Sequence, residues 1–277
     1  IWLKFKSKIL VVVIMFIYYK LSSGETMKVF CNFLMVFTFL FLANCSVNDN
    51  TQNIVDKTSI AQDPWENFNR GTFAFNKVFD KYLLAPLAKG YRIILPDEVR
   101  EGVRNFFSNL REPWTSINAA LQGDFKNSGT SIVRFGLNTT IGLLGIFDVA
   151  TSLGFEKQKE DFGQTLAVYG VEPGPYVVLP LLGPSTVRDA IGKVTGFVAD
   201  PVTIALNKDG KENWLWIGTA VNGIDFREQN LEKIDNLDAT SVDFYATIRS
   251  LYLERRNRMI RNQSADEQDP FQEFDIE

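Results

Sequence analysis

The sequence contains no histidine, and only two of its 277 residues are cysteine. Both of these, Cys31 and Cys45, lie near the N-terminus, so the chain beyond residue 45 has neither a thiol nor an imidazole. That part of the chain can form no disulfide, offers no His or Cys metal ligand, and lacks the general base of Ser-His-Asp and Cys-His catalysis. We therefore expect no metal site, no cofactor and no enzymatic activity.

Catalytic loop motifs are missing as well. The sequence has no Gly-x-Ser-x-Gly elbow, no Gly-x4-Gly-Lys phosphate loop and no Gly-x-Gly-x-x-Gly dinucleotide loop. An enzyme that uses only carboxylates or a Ser-Lys pair is left open, although no spacing of residues favours one.

Basic residues are too few for a nucleic-acid footprint. Subtracting the five Lys and one Glu of residues 1–45 from the totals of 29 and 33 leaves 24 basic and 32 acidic residues for 46–277. The resulting net charge of about −8 argues against a nucleic-acid partner, because such a partner calls for clustered Lys and Arg.

The hydrophobic run at residues 27–46 has the layout of a secretory signal peptide: a basic start, an apolar centre and a cleavage zone. It closes on LANC at 42–45, which resembles a bacterial lipobox, in which the cysteine is acylated and begins the mature protein. Asn44 stands where Gly, Ala or Ser is usual. We predict a signal peptide over 27–44 and a lipid anchor at Cys45. An uncleaved N-terminal anchor helix is the alternative.

Three further segments are predicted to lie outside the folded domain. The chain begins with Ile1, and we expect that translation starts at Met27 and that residues 1–26 are a misassigned extension; a genuine extension is the alternative. Residues 45–62 are polar and predict a tether, and residues 263–277 are acidic and predict a disordered tail.

A helix is predicted from residue 63, where Asp63 can act as the N-cap and Pro64 suits the first turn. Its apolar residues cover more than one face, which is typical of a helix that is buried or contacts lipid. Asn69 and Asn76 lie two turns apart among these aromatic residues. They are either polar groups with a role inside the protein or ordinary surface positions.

The next part of the chain predicts further helices. Apolar spacing indicates two of them across residues 86–110. Pro113 is expected to open a separate helix that ends at Gly123, since proline fits a first helical turn and disrupts an interior one. Asp124 can cap the helix after that. This helix carries a polar pair four residues apart on one side, Arg134 and Asn138.

The apolar segment 141–150 contains Gly142 and Gly145 and is too short to cross a bilayer. It is a buried helix, a close-packing face or a re-entrant turn. A charged stretch that ends at Asp161 follows, and then Gly163. An apolar arm, a charged tip and a return arm describe a hairpin that can move, and an ordinary helix with an exposed loop is the alternative.

Only Tyr176–Leu179 predicts a strand, and one short strand does not make a sheet. Ser185 is expected to cap the helix that follows, and two long helices are predicted over 212–236 and 240–262. Four arginines lie near the C-terminal end of the last predicted helix: Arg255, Arg256, Arg258 and Arg261. They are either cations favoured by the helix dipole or contacts for anionic lipid head groups.

Five sequence runs occur in order along the chain. They are DPWENFNR at 63–70, NLREP at 109–113, LQGD at 121–124, RFGLNTTIGLLGIFDVA at 134–150 and DFGQTLAVYGVEPGPYVVLPLLGPSTVRDAIG at 161–192. In these runs the chain resembles the MlaA (VacJ) family of outer-membrane phospholipid-trafficking lipoproteins. The resemblance covers about 63–250, and we predict one domain over 63–262.

The resemblance implies an all-α fold, a ring-like assembly of amphipathic helices embedded in one membrane leaflet, with a mobile helical hairpin. To this the residues themselves add at most one short strand. The implied protein is a non-enzymatic lipoprotein on the periplasmic side of the outer membrane. It removes mislocalised phospholipids from the outer leaflet through an amphipathic channel and passes them to a soluble periplasmic carrier. Phospholipid is its transported ligand, and trimeric porins are its implied membrane partners.

The resemblance also directs attention to particular residues, because a polar head group needs polar partners in hydrocarbon. The channel is expected to be lined by Asn69, Phe73, Asn76, Arg134 and Asn138. The gating hairpin is expected to depend on Gly142, Gly145, Asp161 and Gly163. Two other functions stay open: a structural envelope lipoprotein that scaffolds porins and, against the missing histidine, a lipid-cleaving enzyme.

Overall fold

Helices follow one another through most of residues 63–261, the part of the chain that the computed structural model describes. The predicted signal peptide, lipid anchor, tether and acidic tail lie outside these residues. The helices are α1 Glu66–Phe79, α2 Ala85–Ile94, α3 Asp97–Gln122, α4 Phe125–Thr140, α5 Val149–Ser152, α6 Phe162–Val168, α7 Val187–Ala199, α8 Pro201–Lys208, α9 Glu212–Gln229, α10 Leu231–Thr240 and α11 Phe244–Ile260. The predicted all-α architecture is confirmed, with one small hairpin added.

The first helix begins later than predicted. Its N-cap is Trp65 and makes no side-chain capping bond. The carboxylate of Asp63 instead accepts hydrogen bonds from Asn69 Nδ2 at 2.7 Å and from the hydroxyl of Tyr245. Asp63 therefore joins the start of α1 to α11, which a local capping rule does not foresee. At its other end α1 continues through a π-helical turn, Asp80–Leu84, directly into α2.

The separate helix predicted to open at Pro113 is wrong, because α3 runs unbroken through this residue. Polar pairs join it to α4 on both sides of Pro113: Asn109 Nδ2 donates to Thr139 Oγ1 at 2.9 Å, and Ser116 Oγ donates to the Ser128 carbonyl at 3.0 Å. Packing along the whole helix thus overrides the local cost of an interior proline. The predicted end at Gly123 and cap at Asp124 are confirmed.

The apolar segment after α4 is not a buried helix, since it forms consecutive turns and a bend over 141–147. Leu143, Leu144 and Gly145 adopt left-handed backbone angles, with φ of 49°, 60° and 91°. That conformation costs roughly 1–2 kcal/mol for each non-glycine residue. The short helix α5 follows, capped by Asp148.

The predicted strand Tyr176–Leu179 is present as β1, but it does not stand alone. It pairs antiparallel with β2, Gly183–Thr186, with Tyr176 opposite Thr186 and Leu179 opposite Gly183. Because Gly and Pro are poor strand formers, the expectation of at most one strand missed β2. Ser185, the predicted helix cap, lies in β2, and Thr186 caps α7 instead.

Two boundaries in the C-terminal third also differ from the prediction. The helix expected over 212–236 is divided at Asn230 into α9 and α10. The helix expected to begin at residue 240 begins at Phe244, where Asp243 accepts a bond from Ala246 N and acts as the cap.

The apolar core is small, and most of the interior is polar. Tyr176, Val178 and Tyr245 form the buried cluster, with Phe73 and Tyr252 packed against it. Among the described residues, 22 polar or charged residues are buried against 11 apolar ones. Hydrogen bonds and ion pairs between distant elements therefore hold this fold together to an unusual degree.

Candidate functional site

Helix α1 holds the β-hairpin through the two asparagines that the sequence singled out. Asn69 is fully buried; its Nδ2 donates to the Tyr176 carbonyl at 3.0 Å and its Oδ1 accepts from Val178 N at 2.9 Å. Two turns further along α1, Asn76 likewise donates to the carbonyl of Leu179 and accepts from the amide of Leu181, at 3.0 and 2.8 Å. These asparagines are not ordinary surface positions.

Phe73 lies between these asparagines on α1 and joins the core. Its ring makes edge contacts with Phe244 and Tyr245, with centroids 5.4 and 5.5 Å apart. All three predicted channel residues of α1 thus make contacts within the protein, and a role beside a lipid stays a prediction.

Arg134 is the centre of the largest buried network near the predicted gate, and its side chain is 1% exposed. Its Nε donates to Glu112 Oε1 at 2.8 Å, its Nη2 to Asp148 Oδ2 at 3.0 Å, and its Nη1 to Thr151 Oγ1 at 2.9 Å. Nη1 also donates to the Phe155 carbonyl. One guanidinium therefore ties α3 and α4 to the segment that follows α4.

Asn138 completes this network on the same side of α4. Its Nδ2 donates to Asp148 Oδ1 at 3.0 Å, and its Oδ1 accepts from Ala150 N at 2.9 Å. Burial by itself would raise the pKa of Asp148, but hydrogen bonds from Arg134, Thr151 and Asn138 outweigh burial and lower that pKa to about 2. Asp148 is therefore ionised at neutral pH. Together, the cluster of Glu112, Arg134, Asn138 and Asp148 is called the front clamp below.

A second ionic cluster lies where the predicted gate ends. Asp161 caps α6 by accepting from Gln164 N at 3.0 Å, and it receives a two-pronged bond from Arg256. Arg256 Nη2 also donates to Asp189 Oδ1 at 3.0 Å. Burial would raise the pKa of Asp189, but the charges of Arg256 and Arg188 lower it. Asp161, Asp189 and Arg256 form what is called the rear clamp below.

The rear clamp corrects the prediction for the terminal arginines. Arg256 is buried and pairs with carboxylates of two other elements, so it neither balances the helix dipole at the surface nor faces a lipid. Arg258 pairs with Glu254 one turn earlier at 3.3 Å. Sequence reasoning missed this role because the partners lie 67 and 95 residues away.

The glycines of the predicted gate are required by close packing. A Cβ at Gly142 would lie 2.2 Å from the Phe147 carbonyl oxygen, and one at Gly145 would lie 2.5 Å from Asn109 Cβ. At Gly163 a Cβ would lie 2.5 Å from Arg256 Nη2. The structure thus assigns each glycine a steric role, and their action as hinges stays a prediction.

A third polar cluster was not predicted at all. Arg92 Nε pairs with Glu228 Oε1 at 2.8 Å, Arg100 pairs with the same carboxylate, and Arg104 Nη1 lies 3.4 Å from Asp225 Oδ1. It joins α2 and the start of α3 to the end of α9. Because each pair spans more than 120 residues, neither spacing nor charge pattern within one segment signals it.

The outer surface is unusually apolar. Thirty-two large hydrophobic side chains are exposed among the described residues, including Phe68, Tyr82, Ile93, Phe125 and Trp214, each more than 60% accessible. Within residues 63–261, no helix combines enough length and apolar character to traverse a bilayer. Helices with apolar outer faces and polar inner contacts are typical of proteins that lie in a membrane interface.

A comparison with known protein families agrees with a protein that lies in a membrane interface. The model of the family described as "MlaA lipoprotein" matches residues 61–259, so the chain belongs to the MlaA lipoprotein family. The "Intermembrane phospholipid transport system lipoprotein MlaA" of Escherichia coli K12 is 38% identical over 205 residues, which cover 70% of this chain and 77% of that protein. The protein of the same name from Haemophilus influenzae is 32% identical over 224 residues, covering 77% and 83%.

A solved structure agrees with the same family. It is described as the structural basis for maintenance of bacterial outer membrane lipid asymmetry, and it matches with a TM-score of 0.62 and 37% identity. The match covers 72% of this chain and 99% of that one. The helical fold of this chain is therefore similar to that of the solved structure.

Proposed function

We propose that this chain is a non-enzymatic lipoprotein of the outer membrane that removes mislocalised phospholipids from the outer leaflet and passes them to a periplasmic lipid carrier. The observation that carries the proposal is the inverted distribution of side chains within residues 63–261, with 22 buried polar residues inside and 32 exposed large hydrophobic residues outside. Apolar surface of this extent is costly in water and favourable in hydrocarbon. The names of the relatives supply the transported class, phospholipid.

The anchor and the location belong to the same proposal. Acylation at Cys45, after removal of residues 27–44, would attach the chain to the periplasmic face of the outer membrane. The helices of residues 63–261 then lie in the inner leaflet as a ring-like assembly around an amphipathic channel. A trimeric porin is the proposed membrane partner, since an apolar exterior suits a partner that is itself embedded.

For the lipid pathway we propose that the gate is the segment between the two clamps. The front clamp holds its beginning at Asp148, and the rear clamp holds its end at Asp161. Lys157 lies between them and is exposed. A head group that passes the gate meets polar groups instead of hydrocarbon, which lowers the cost of transfer. Arg134 and Asn138 contribute to the wall of this pathway, and so do Asn69, Phe73 and Asn76 of α1.

The primary test measures lipid asymmetry in cells. Deleting the gene should raise the fraction of phosphatidylethanolamine that a membrane-impermeant amine reagent labels at the cell surface, and the wild-type chain should reverse this. An unchanged surface fraction and unchanged detergent sensitivity would sink the proposal. Purified protein incubated with labelled phospholipid should leave the lipid intact, and turnover would revive the enzyme hypothesis.

A second test addresses the pathway and the scaffold alternative. A photoreactive residue in place of Lys157 should capture phospholipid in living cells, whereas one in place of Asp209, at an exposed turn, should not. Phospholipid that co-purifies at a fixed ratio also argues for transport. If no lipid is captured at Lys157 and none co-purifies while a porin does, the structural scaffold is the better account.

A further inference from the structure

Three non-glycine residues within 63–261 have left-handed backbone angles, and all three are leucines. Their φ values are 49° at Leu143, 60° at Leu144 and 62° at Leu181. This region is sterically unfavourable for a bulky side chain. The three side chains are 56–64% exposed, and so is that of Leu182 beside them, at 62%. The unfavourable backbone therefore does not bury these side chains, and it directs two leucine pairs outward.

The first leucine turn is held firmly from beneath. The amide of Leu144 donates to the Thr139 carbonyl at 3.0 Å, that of Gly145 to Asn138 at 2.7 Å, and that of Phe147 to Gly142 at 2.9 Å. Asn105 Nδ2 also donates to the Ile146 carbonyl at 3.2 Å. These internal bonds make the turn a fixed structure and satisfy most of its backbone.

The second leucine turn joins the two strands and is fixed in a similar manner. The carboxamide of Asn76 accepts from the Leu181 amide at 2.8 Å and donates to the Leu179 carbonyl at 3.0 Å. A helix that is separate from the hairpin thus holds the turn in its left-handed form. Two unrelated parts of the fold show the same combination of strain, internal bonding and exposed leucine.

The chemistry of both turns selects the occupant. No charged residue occurs between Arg134 and Asp148, or between Glu172 and Arg188. Hydrocarbon offers no hydrogen bonds. A turn that enters it must therefore satisfy its backbone N–H and C=O groups within the protein. We propose that the pairs Leu143–Leu144 and Leu181–Leu182 are two fixed insertion points that enter the acyl-chain region of a phospholipid leaflet. This rests on the proposed function, which places the chain at a membrane.

The test uses the acylated protein with one added cysteine, at Leu144 or Leu182, carrying an environment-sensitive fluorophore. Vesicles of phosphatidylethanolamine and phosphatidylglycerol are prepared with and without bromine on the acyl chains. Both labels should lose about half of their emission in brominated vesicles, since bromine quenches only groups that reach acyl-chain depth. A label at Asp209, in an exposed turn, should lose little, and protein without an added cysteine gives the background.

Leu144→Asn and Leu182→Asn supply the second measurement. Asparagine accepts left-handed angles, so the Leu144→Asn backbone is kept while the apolar group is lost. A label at the neighbouring leucine of the same turn should then be less quenched, by about twofold, because one anchor of the pair is gone. Unfolding temperatures in detergent check that both variants are folded.

Several outcomes overturn the insertion. Equal emission in both kinds of vesicle does so, as does emission that ignores bromine and changes only when purified porin is added, which would make a protein the occupant. If bromine has no effect on a chain that still restores lipid asymmetry in cells, the insertion fails and the proposed function stands. Strong quenching in a chain that restores no asymmetry supports the insertion and contradicts the proposed function.

Discussion

Arg134 shows how much this fold depends on single polar residues. Its guanidinium and the carboxylate of Glu112 are 1% and 3% exposed, so Glu112 relies on Arg134 for its charge balance, and Arg134 also pairs with Asp148. Removing one partner of a buried pair leaves an uncompensated charge. We predict that Arg134→Met lowers the free energy of unfolding by about 3–5 kcal/mol. Denaturant unfolding in detergent measures this.

The matched control for Arg134→Met is Arg255→Met, at an exposed position of α11. That change should alter the free energy of unfolding by less than about 0.5 kcal/mol. Equal effects of the two variants would show that the front clamp contributes little to stability.

Asp148 gives the front clamp a pH dependence with a definite sign. Its folded pKa of about 2 lies below the ordinary value of 3.8, so the ionised form is favoured in the fold. The stability it contributes, roughly 2 kcal/mol, is complete above pH 4 and is lost as the pH falls toward 2. We predict that Asp148→Asn is less stable than wild type at pH 7 and that the difference shrinks between pH 4 and pH 2.

The check for Asp148 is a series of unfolding curves for both proteins across that range. Other carboxylates also titrate there, so only the difference between the two proteins is informative. A difference that stays constant from pH 7 to pH 2 would show that Asp148 is not held ionised by its neighbours.

At the residue level, sequence reasoning found one partner in some of the buried polar interactions. Spacing on a helix singled out Asn69, Arg134 and Asn138, and all three are buried. Their partners were not identified, because Asp148 and the Tyr176 carbonyl are brought to them only by the tertiary fold. Arg256 was assigned to the surface for the same reason, since its charge is balanced by elements far away in sequence.

At the element level, the contact between α6 and α7 depends on the absence of side chains. A Cβ at Gly192 would lie 2.5 Å from Gly163 N, and a Cβ at Gly163 would lie 2.5 Å from Arg256 Nη2 and 2.8 Å from Asp189 Oδ1. We predict that Gly163→Ala forces the rear clamp apart and lowers the free energy of unfolding by about 1–3 kcal/mol. Thermal unfolding in detergent is the measurement.

Gly71→Ala is the opposite change within a helix. Apart from the adjacent residues and the nearby backbone of α1 itself, no atom lies within 4 Å of a Cβ at this position. Alanine there should raise the free energy of unfolding by about 0.5–1 kcal/mol, because glycine weakens a helix interior. If both alanine variants changed stability in the same direction, close packing would not explain the requirement for Gly163.

Most of the helices from α1 to α11 were predictable, because apolar periodicity is a property of the local sequence. Pro113 was misjudged because its local cost is offset by contacts along the whole of α3, which periodicity does not report. Strand β2 was missed because GPST has no strand preference of its own. It is ordered by pairing with β1, and β1 in turn is held by Asn69 and Asn76.

On the scale of the whole molecule, the environment matters as much as the contacts. A protein in water stabilises itself by hiding apolar groups, whereas the described part of this chain hides polar groups and leaves large apolar ones outside. The sequence indicated this only indirectly, through 23 phenylalanines and helices that are apolar on more than one face. Composition alone does not distinguish a well-filled core from an apolar exterior; only the fold places the residues.

This distribution leads to a prediction about the lipid anchor. If the apolar exterior lies in hydrocarbon, the anchor at Cys45 directs the protein to its membrane but does not alone keep it there. We predict that secreted Cys45→Ala protein stays in the membrane fraction and resists about 1 M salt, because salt screens charges and does not weaken apolar burial. Cells with this variant should nevertheless show raised surface phospholipid, since the protein is not sorted to the outer membrane. Release into the soluble periplasmic fraction would refute membrane burial of the exterior. Normal lipid asymmetry in cells with this variant would refute both the acyl anchor and its role in transport.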